Sequence, residues 1–592
     1  MSNNIGGKIL GLINKEIQEY NEPITIIDGW SDYSQKETIK QATLYYNSKF
    51  VDGEIDELGF KRYFYNISKS SCSATTKAID IDTKDITLLT APGGDELKTW
   101  FYERDLKYWM EDKNFGAILN RICKELPIFG SVVLKVIKGN CYFVDLKNLI
   151  VEQNADNLDC SNYIIEQNFY TRIEFKRIAK ENGWDEIEAE KIVKLYKDSN
   201  EQYIRVFERY GEIENKDGLS DYKMVIIADI PSDIARNTDK FSDAKNDIVL
   251  AERLVPNHPY FEIHFDKISG RWLGLGVIEQ ISENQIRLNE VSNQQVRSSQ
   301  WGTLRLFQCR DTGVSRNLLV DAQDGEVLNA EDEIKQVDMA DRNQTYYQVE
   351  TTKWESNANK NTFTTDVMMG ERTPAGTPLG SAQLSVSMAM SYFDQKREDI
   401  GLAIKDLLYN YILPSFKKTS NREHIIRIAG QDLDKLNKMM VNTNKHKRFF
   451  DEIQRTNKIP SAEFMYLLNE VETARQEAKK EQQITIEKSW YGDLKYDIRI
   501  EVTGESKDIR VVAANLLAAL QMMSVNPNVL QDPMQKRILS KYLELGGIRM
   551  DDFEVESKPS LVPTAPAGGG VSAQAGIQNI TGQGTQQMTQ TM

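Results

Sequence analysis

The sequence predicts an α+β protein in which a mixed body carries unusually long helices. Three observations lead there. Paired apolar runs about a turn, as in SVVLKVIKGNCYFVDLKNLIV (131–151), mark a β-hairpin at Lys138-Gly139-Asn140. A helical pattern rich in amides fills 275–301. From Ser381 to about Leu413 there is no proline and one glycine, Gly401, and Pro414 closes the stretch.

Residues 1–50 read as mostly helical. FKRYFYNISKSSCSATTKAIDIDTKDITLLTAP (60–92) mixes aromatic and alternating patterns, and 98–130 reads as helices carrying Trp100, Phe101, Trp109, Ile118, Ile122 and Leu126. After the hairpin, 174–197 is a helix pair punctuated by Gly183. QYIRVFERYGEI and KMVIIADI form a second strand pair, and DIVLAERLV and YFEIHFD add strands, so residues 1–270 make one α+β body. Val277, Ile281, Leu288 and Val291 stripe the amide-rich helix. Short strand-like pieces follow, then a partly helical polar segment, 341–369, with Tyr346, Tyr347, Trp354 and Phe363. In the long helix Phe393, Ile400, Ile404, Leu407, Leu408, Tyr411 and Ile412 recur at helical spacing. Beyond it, EHIIRIAG (423–430) and KYDIRIEVTG (495–504) alternate as strands do, and such segments pair even when far apart; helices lie between them and at 508–523 and 533–546. From about Lys558 the chain is Gly/Pro/Gln/Thr-rich and nearly uncharged, which predicts disorder.

The chain has 592 residues, is 40% hydrophobic and carries a net charge of −15. A protein that grips duplex phosphates draws its affinity from cations, so the chain as a whole is not of that kind. Five cysteines (72, 123, 141, 160, 309) form no CxxC pair, which predicts reduced thiols in a cytoplasmic compartment, buried as small apolar groups. The N-terminus is unlike a secretory signal, and no window approaches ~18 uninterrupted apolar residues, so no membrane partner is expected.

Motifs for chemistry are scarce. Gly6-Gly7-Lys8 lacks the first glycine and the hydroxyl residue of a phosphate loop. His258, Glu262 and His264 in HPYFEIHFD fall on one face of a strand, which fits a metal site or, more plainly, a half-buried strand edge with solvated polar groups. The charged run Glu470–Glu481 reads as a solvated helix face. No cofactor and no catalytic group are expected.

The amide-rich helix has two readings. One is a solvated surface helix. The other starts from its scarcity of charge: uncharged amides suit a helix packed beside copies of itself, where like charges would repel. Gln285, Asn289 and Gln295 are the residues expected at such a subunit contact.

In order and layout the sequence resembles bacteriophage portal proteins, the head–tail connectors, over roughly residues 40–420. RYFYNISKSSCSATTKAIDIDTKDITL (62–88) looks like the family's early wing segment, and LPIFGSVVLKVIKGNCYFVDLKNLIVEQN (126–154) is similar to its strand pair. GLGVIEQISENQIRLNEVSNQQ looks like the first stem helix, and TPAGTPLGSAQLSVSMAMSYFDQKREDIGLAIKDLLYNYILP like the tunnel loop running into the long wing helix. The flavour is closest to portals of crAss-like and related short-tailed phages.

The resemblance implies a portal fold with long helices around a ring channel. Its parts would be an N-terminal wing (1–272), first stem helix (273–302), clip (303–340), second stem segment (341–369), tunnel loop (370–380) and long wing helix (381–416), then C-terminal wing strands and helices (417–505), crown-like helices (506–557) and the tail (558–592). It implies twelve subunits at one capsid vertex, double-stranded DNA in the channel, and docking of the terminase large subunit, then of head–tail adaptor and tail proteins, within the major capsid protein shell. The location would be the virion, and the host cytoplasm during assembly. Glu371, Arg372, Thr373, Pro374, Thr377 and Pro378 would line the channel, with Arg372 either a ring of cations or a partner of Glu371 or a neighbour's acid; Arg305, Arg310 and Arg316 would meet docking partners. The alternatives are another virion component, such as a head–tail adaptor or baseplate protein, and a nucleic-acid-processing enzyme; the acidic balance and the missing phosphate loop weigh against the enzyme.

Overall fold

The computed structural model describes residues 5–25, 32–57, 59–91, 95–197, 201–214, 220–230, 248–303, 306–308, 335–337, 344–364, 379–415, 424–428, 431–456, 462–477, 482–486 and 496–500. The chain divides into two units, 1–506 and 507–592, and everything described belongs to the first. The fold is α+β with several antiparallel sheets.

Helix α1 (Ile5–Asn21) turns Ile9, Ile13 and Tyr20 to one side. A two-residue pairing, β1 (Ile24–Thr25) with β2 (Asp32–Tyr33), precedes α2 (Gln35–Tyr46). α3 (Ser68–Ala78) leads through a capping box at Asp82 and Asp85 into β3 (Ile86–Thr90). Asp95 caps α4 (Glu96–Asp112) by accepting from the N–H groups of Leu97 and Lys98. α5 (Phe115–Phe129) stops at Gly130, whose φ of 78° suits only glycine.

The expected hairpin is β4 (Ser131–Ile137) and β5 (Asn140–Val144). Lys138 and Gly139 both have positive φ, 51° and 78°, the tight turn whose twist matches that of the strands. A second sheet runs β10-β9-β8-β7-β6: β6 (Leu149–Val151), β7 (Tyr163–Thr171), β8 (Tyr203–Glu214), β9 (Ser220–Asp229) and β10 (Ile248–Leu254). The helix pair read from the sequence is α6 (Arg172–Asn182), ended by Gly183 at φ 64°, and α7 (Glu186–Leu195). β11 (Tyr260–His264) then pairs with β4, making β4 the centre of the three-stranded sheet.

Strand alternation stacks these elements in layers. On one face of the five-stranded sheet Ile165, Phe207, Val225 and Ile227 meet α1. On the other, Ile164, Val206, Tyr210 and Ile226 pack on α6, α7 and the three-stranded sheet. Val133 of β4 joins that core, while Val132 and Leu134 face a second core built from α3, α4, α5 and the long helix. The sheets are pinned by a polar seam. Lys135 donates to Glu166 and Glu208 at 2.6 Å each, Tyr260 donates to Glu166, and Tyr210 to Glu208, both at 2.7 Å. Burial opposes the Lys135 charge, but the two carboxylates outweigh it and hold the ammonium above its ordinary range.

Two expectations about the C-terminal part change. The alternating segments at 423–430 and 495–504 do not pair with each other. β14 (His424–Ile428) pairs with β15 (Gln482–Ile486), and β16 (Tyr496–Ile500) pairs with β3. β15 itself falls where the sequence reads as the end of a charged helix. Alternation identifies a strand, but the choice of partner is made by packing.

α1 is locked to the sheet by a buried fork: Arg209 Nε and Nη2 donate to the two oxygens of Glu16 at 2.8 and 2.6 Å, with both side chains almost fully buried. Removing either partner alone strands a buried charge. Glu16→Leu and Arg209→Met should each lower unfolding stability by about 3–5 kcal/mol, whereas the double variant should return close to wild type. Urea unfolding of the three variants checks this; additive losses would show that the pair does not act as a unit.

Candidate functional site

The site is assembled where the chain leaves the body after β11. Gly130, at the end of α5, crosses the segment Gly274–Gly276 at backbone contact. A Cβ on Gly130 would sit 2.2 Å from the Gly274 carbonyl oxygen; one on Gly274 would sit 2.4 Å from the Gly130 carbonyl oxygen. Phe265 N–H donates to the Gly130 carbonyl at 2.8 Å, and Gly274 N–H donates to Ser131 Oγ at 2.8 Å. Ser131 Oγ is also 2.7 Å from His264 Nδ1, and His264 Nε2 faces Glu262 at 3.4 Å.

The histidine-bearing strand is thereby accounted for. Glu262 accepts from Trp272 Nε1 at 2.7 Å and from the Leu158 N–H. Burial pushes its carboxyl up, but His264 and the Trp272 indole outweigh this and hold it below the usual carboxylate range. His258 faces Asp159 at 3.0 Å, and burial keeps its imidazole below the ordinary range. Among the described residues no group of three or more His, Cys, Asp or Glu is placed to hold a metal ion. Cys72 and Cys123 are buried, with the Cys123 thiol pushed to about 12 by burial; Cys141 is half-buried, but Cys160 is exposed, unlike the expectation for all the thiols. Cys309 lies outside the described residues.

From the glycine crossing a short helical turn, Val277–Gln280, leads into α8 (Ser282–Thr303). At about 1.5 Å per residue α8 spans roughly 33 Å. β12 (Leu306–Gln308) pairs with β13 (Lys335–Val337), and α9 (Gln344–Asn361) returns. Gln344 bonds to Gln295 and Ser299, while Asn284 donates to the Trp354 carbonyl, so α8 and α9 run antiparallel.

The amides of α8 form a ladder. Gln285 Oε1 accepts from the N–H groups of Ile67 and Ser68 at 3.2 Å and from Ser68 Oγ at 2.9 Å; its Nε2 donates to the Tyr65 carbonyl. Asn289 Oδ1 accepts from Tyr65 N–H at 2.8 Å. Asn293 takes both sides of Tyr63, accepting from its N–H at 2.7 Å and donating to its carbonyl at 2.9 Å. The match is geometric. Four residues of helix advance about 6.0 Å, and two residues of extended chain advance about 6.6 Å, so amides at every fourth helical position meet alternate residues of a strap laid along the helix. Arg297, one step further, pairs with Asp56 and lies over Phe60.

This corrects the expectation for Gln285 and Asn289. Both are buried within one chain, where they satisfy the strap's backbone, so neither presents an amide to a neighbouring copy. Gln295 remains half-buried and bonds to Gln344 at 3.2 Å. Asn293 was not singled out from the sequence; its spacing of four and eight from Asn289 and Gln285 was the available signal.

The long helix is α10 (Leu379–Asp406), continued by a π-helical segment Leu407–Ile412 and ending at Ser415. Phe393, Ile400, Ile404, Leu407, Leu408 and Ile412 are buried, as their spacing predicted. The wider turns come just before Pro414, which lacks an N–H for the Asn410 carbonyl and crowds it in an α-helix. Tyr102 donates to the Leu413 carbonyl at 2.7 Å. α11 (Gln431–Thr456) and α12 (Ala462–Glu477) follow. Glu371, Arg372, Thr373, Pro374, Thr377 and Pro378, the arginines Arg305, Arg310 and Arg316, and the segments assigned to crown and tail lie outside the described residues.

No family model matches the chain, and none of the curated proteins compared with it matches either.

Gln285→Ala would leave two buried N–H groups and a carbonyl without partners, so it should cost about 2–4 kcal/mol, against about 1 kcal/mol for Asn293→Ala at the wetter end of the ladder. Guanidinium unfolding measures both; a Gln285→Ala loss no larger than that of Asn293→Ala would deny the ladder its anchoring end. Gly274→Ala should be more damaging than either, because the opposing atom is backbone and cannot move aside. Soluble expression at wild-type level with an unchanged thermal midpoint would refute the tight crossing.

Proposed function

We propose that the chain is the subunit of a viral portal: a ring at one capsid vertex, structural rather than catalytic, through which double-stranded DNA is packaged and ejected. The observation that carries the reading is the order of parts. An α+β body gives way at the glycine crossing to an antiparallel helical hairpin tipped by a small strand pair, and the chain then returns through a helix of some 37 residues, about 55 Å, packed on the body. This order supports the reading, because it parallels the wing, stem, clip, stem and long-helix order of the portal proteins that the chain resembles. Among the described residues no helix is long and apolar enough to cross a membrane.

In this reading twelve copies surround the duplex. A net charge of −15 per subunit makes the ring repel phosphates, which lets DNA slide without being held. The Thr-Pro loop at 370–380 projects into the channel, with Arg372 forming a narrow cationic ring, and the region between α8 and α9 docks the terminase large subunit and later the adaptor and tail proteins. The major capsid protein surrounds the body.

Negative-stain imaging of the purified chain should show twelve-fold rings with an axial hole; particles without a central opening would refute the portal reading. Deleting Thr373–Thr377 should leave these rings intact and lower the DNA packaged per particle in virions that carry the deletion. Rings that fall apart would make the loop a packing element, and normal DNA content would make it a passive connection.

A further inference from the structure

One end of the five-stranded sheet carries a cleft of about 490 Å³. Strand pairing builds it. Arg205 of β8 stands between Phe169 of β7 and Asp229 of β9, and Tyr203, two residues earlier, lies on the same face. Tyr196, just past α7, adds a third ring to the lining, and its hydroxyl donates to the Asp229 carbonyl at 3.1 Å. The walls are therefore largely aromatic, and Phe169 and Tyr203 are 49% and 53% exposed. Two of the charged groups cancel: Arg205 pairs with Asp229 and lies over Phe207, 5.2 Å from the ring centre. The third is left over. Glu201 lines the cleft and is exposed, and among the described residues no cation pairs with it. Burial pushes the Tyr196 hydroxyl up to about 12, and the nearby Glu201 carboxylate adds to the effect.

We infer that this cleft is a docking site for an arginine side chain of a partner protein, its guanidinium set against the Phe169 and Tyr203 rings and its N–H groups directed at Glu201. Charge complementarity commits the occupant. Two carboxylates, Glu201 and Asp229, face one guanidinium, Arg205, so one negative charge is uncompensated. An anion would be repelled by Glu201 and would have to compete with Asp229 for Arg205. A neutral apolar group would cover the rings but would desolvate Glu201 without pairing it. A cation meets both demands, because aromatic faces attract it and Glu201 supplies the counter-charge. Guanidinium suits the walls better than ammonium: it is planar, stacks on rings and is more weakly hydrated. A free amino acid would also bring an α-carboxylate, for which the cleft has only Arg205, already engaged; a residue within a polypeptide brings none. The size is that of sites for small groups, roughly 300–1,000 Å³.

The site does not rest on the portal reading. The test titrates the full chain at low salt, by saturation-transfer NMR, with four probes: a capped Gly-Arg-Gly peptide, the same peptide with citrulline in place of arginine, a capped Gly-Lys-Gly peptide, and free arginine. Citrulline keeps the shape of the side chain and removes its charge. The arginine peptide should bind, the lysine peptide more weakly, and the citrulline peptide about tenfold more weakly. Glu201→Gln should weaken the arginine peptide by about threefold to fivefold and Tyr203→Ala by about threefold. Both side chains are exposed, so circular dichroism of the two variants should stay unchanged. Equal binding of the arginine and citrulline peptides, no binding of either, or arginine binding that neither substitution weakens would overturn the site. Tighter binding of free arginine than of the capped arginine peptide would overturn the partner-protein assignment and make the cleft a small-molecule site.

Discussion

The structure turns on the backbone contact between Gly130 and Gly274. There the α5-to-β4 turn and the exit toward α8 occupy the same few ångströms, which only residues without a Cβ permit. Much follows from that contact. Gly130 ends α5 in a left-handed conformation and offers its carbonyl to Phe265, which sets the register of β11 against β4. Ser131, the next residue, uses its hydroxyl to hold both Gly274 and His264. The direction in which the helical hairpin leaves the body is thus tied to the central strand of the sheet between the two cores.

Around this crossing, buried polar side chains join elements that hydrophobic packing alone would leave free to slide. Gln153 shows the logic. Its Oε1 accepts from Gln35 N–H and its Nε2 donates to the carbonyls of Tyr20 and Glu22, so one amide fixes the end of α1 against the start of α2. Gln285 does the same for the strap and α3, and the Lys135 seam does it for the two sheets. Apolar contact is tolerant of direction, whereas a buried hydrogen bond left unmade costs about 1–3 kcal/mol. These groups therefore convert approximate packing into a defined arrangement.

Features governed by local period were legible in the sequence. The Lys138-Gly139 hairpin, the Gly183 break between α6 and α7 and the Phe393–Ile412 stripe all depend on neighbours within a few residues. The pairing of β3 with β16 was not legible, because hundreds of residues intervene and alternation carries no address. The amides of α8 stand out for a physical reason, a scarcity of charge on a long helix, but Gln285 and Asn289 spend theirs within the chain. A composition that avoids repulsion between copies also serves burial within one copy. Only the spacing of four, set against the two-residue step of an extended chain, separates these uses, and it needs the strap at 63–68 as the other half of the pattern.

The amide ladder also separates two demands that usually compete for the same residues. Gln285, Asn289 and Asn293 grip N–H and C=O groups, which every residue except proline presents alike. The grip of these amides is thus indifferent to the identity of the strap's outward side chains. Tyr63 is held through its backbone by Asn293, so its side chain can be exchanged without loosening that grip, whereas Tyr65 also ties the strap to α9 through its hydroxyl bond to Glu355. A fold built this way can change the character of the strap's outer surface by single mutations, while the helix beneath keeps the same hold on the same atoms.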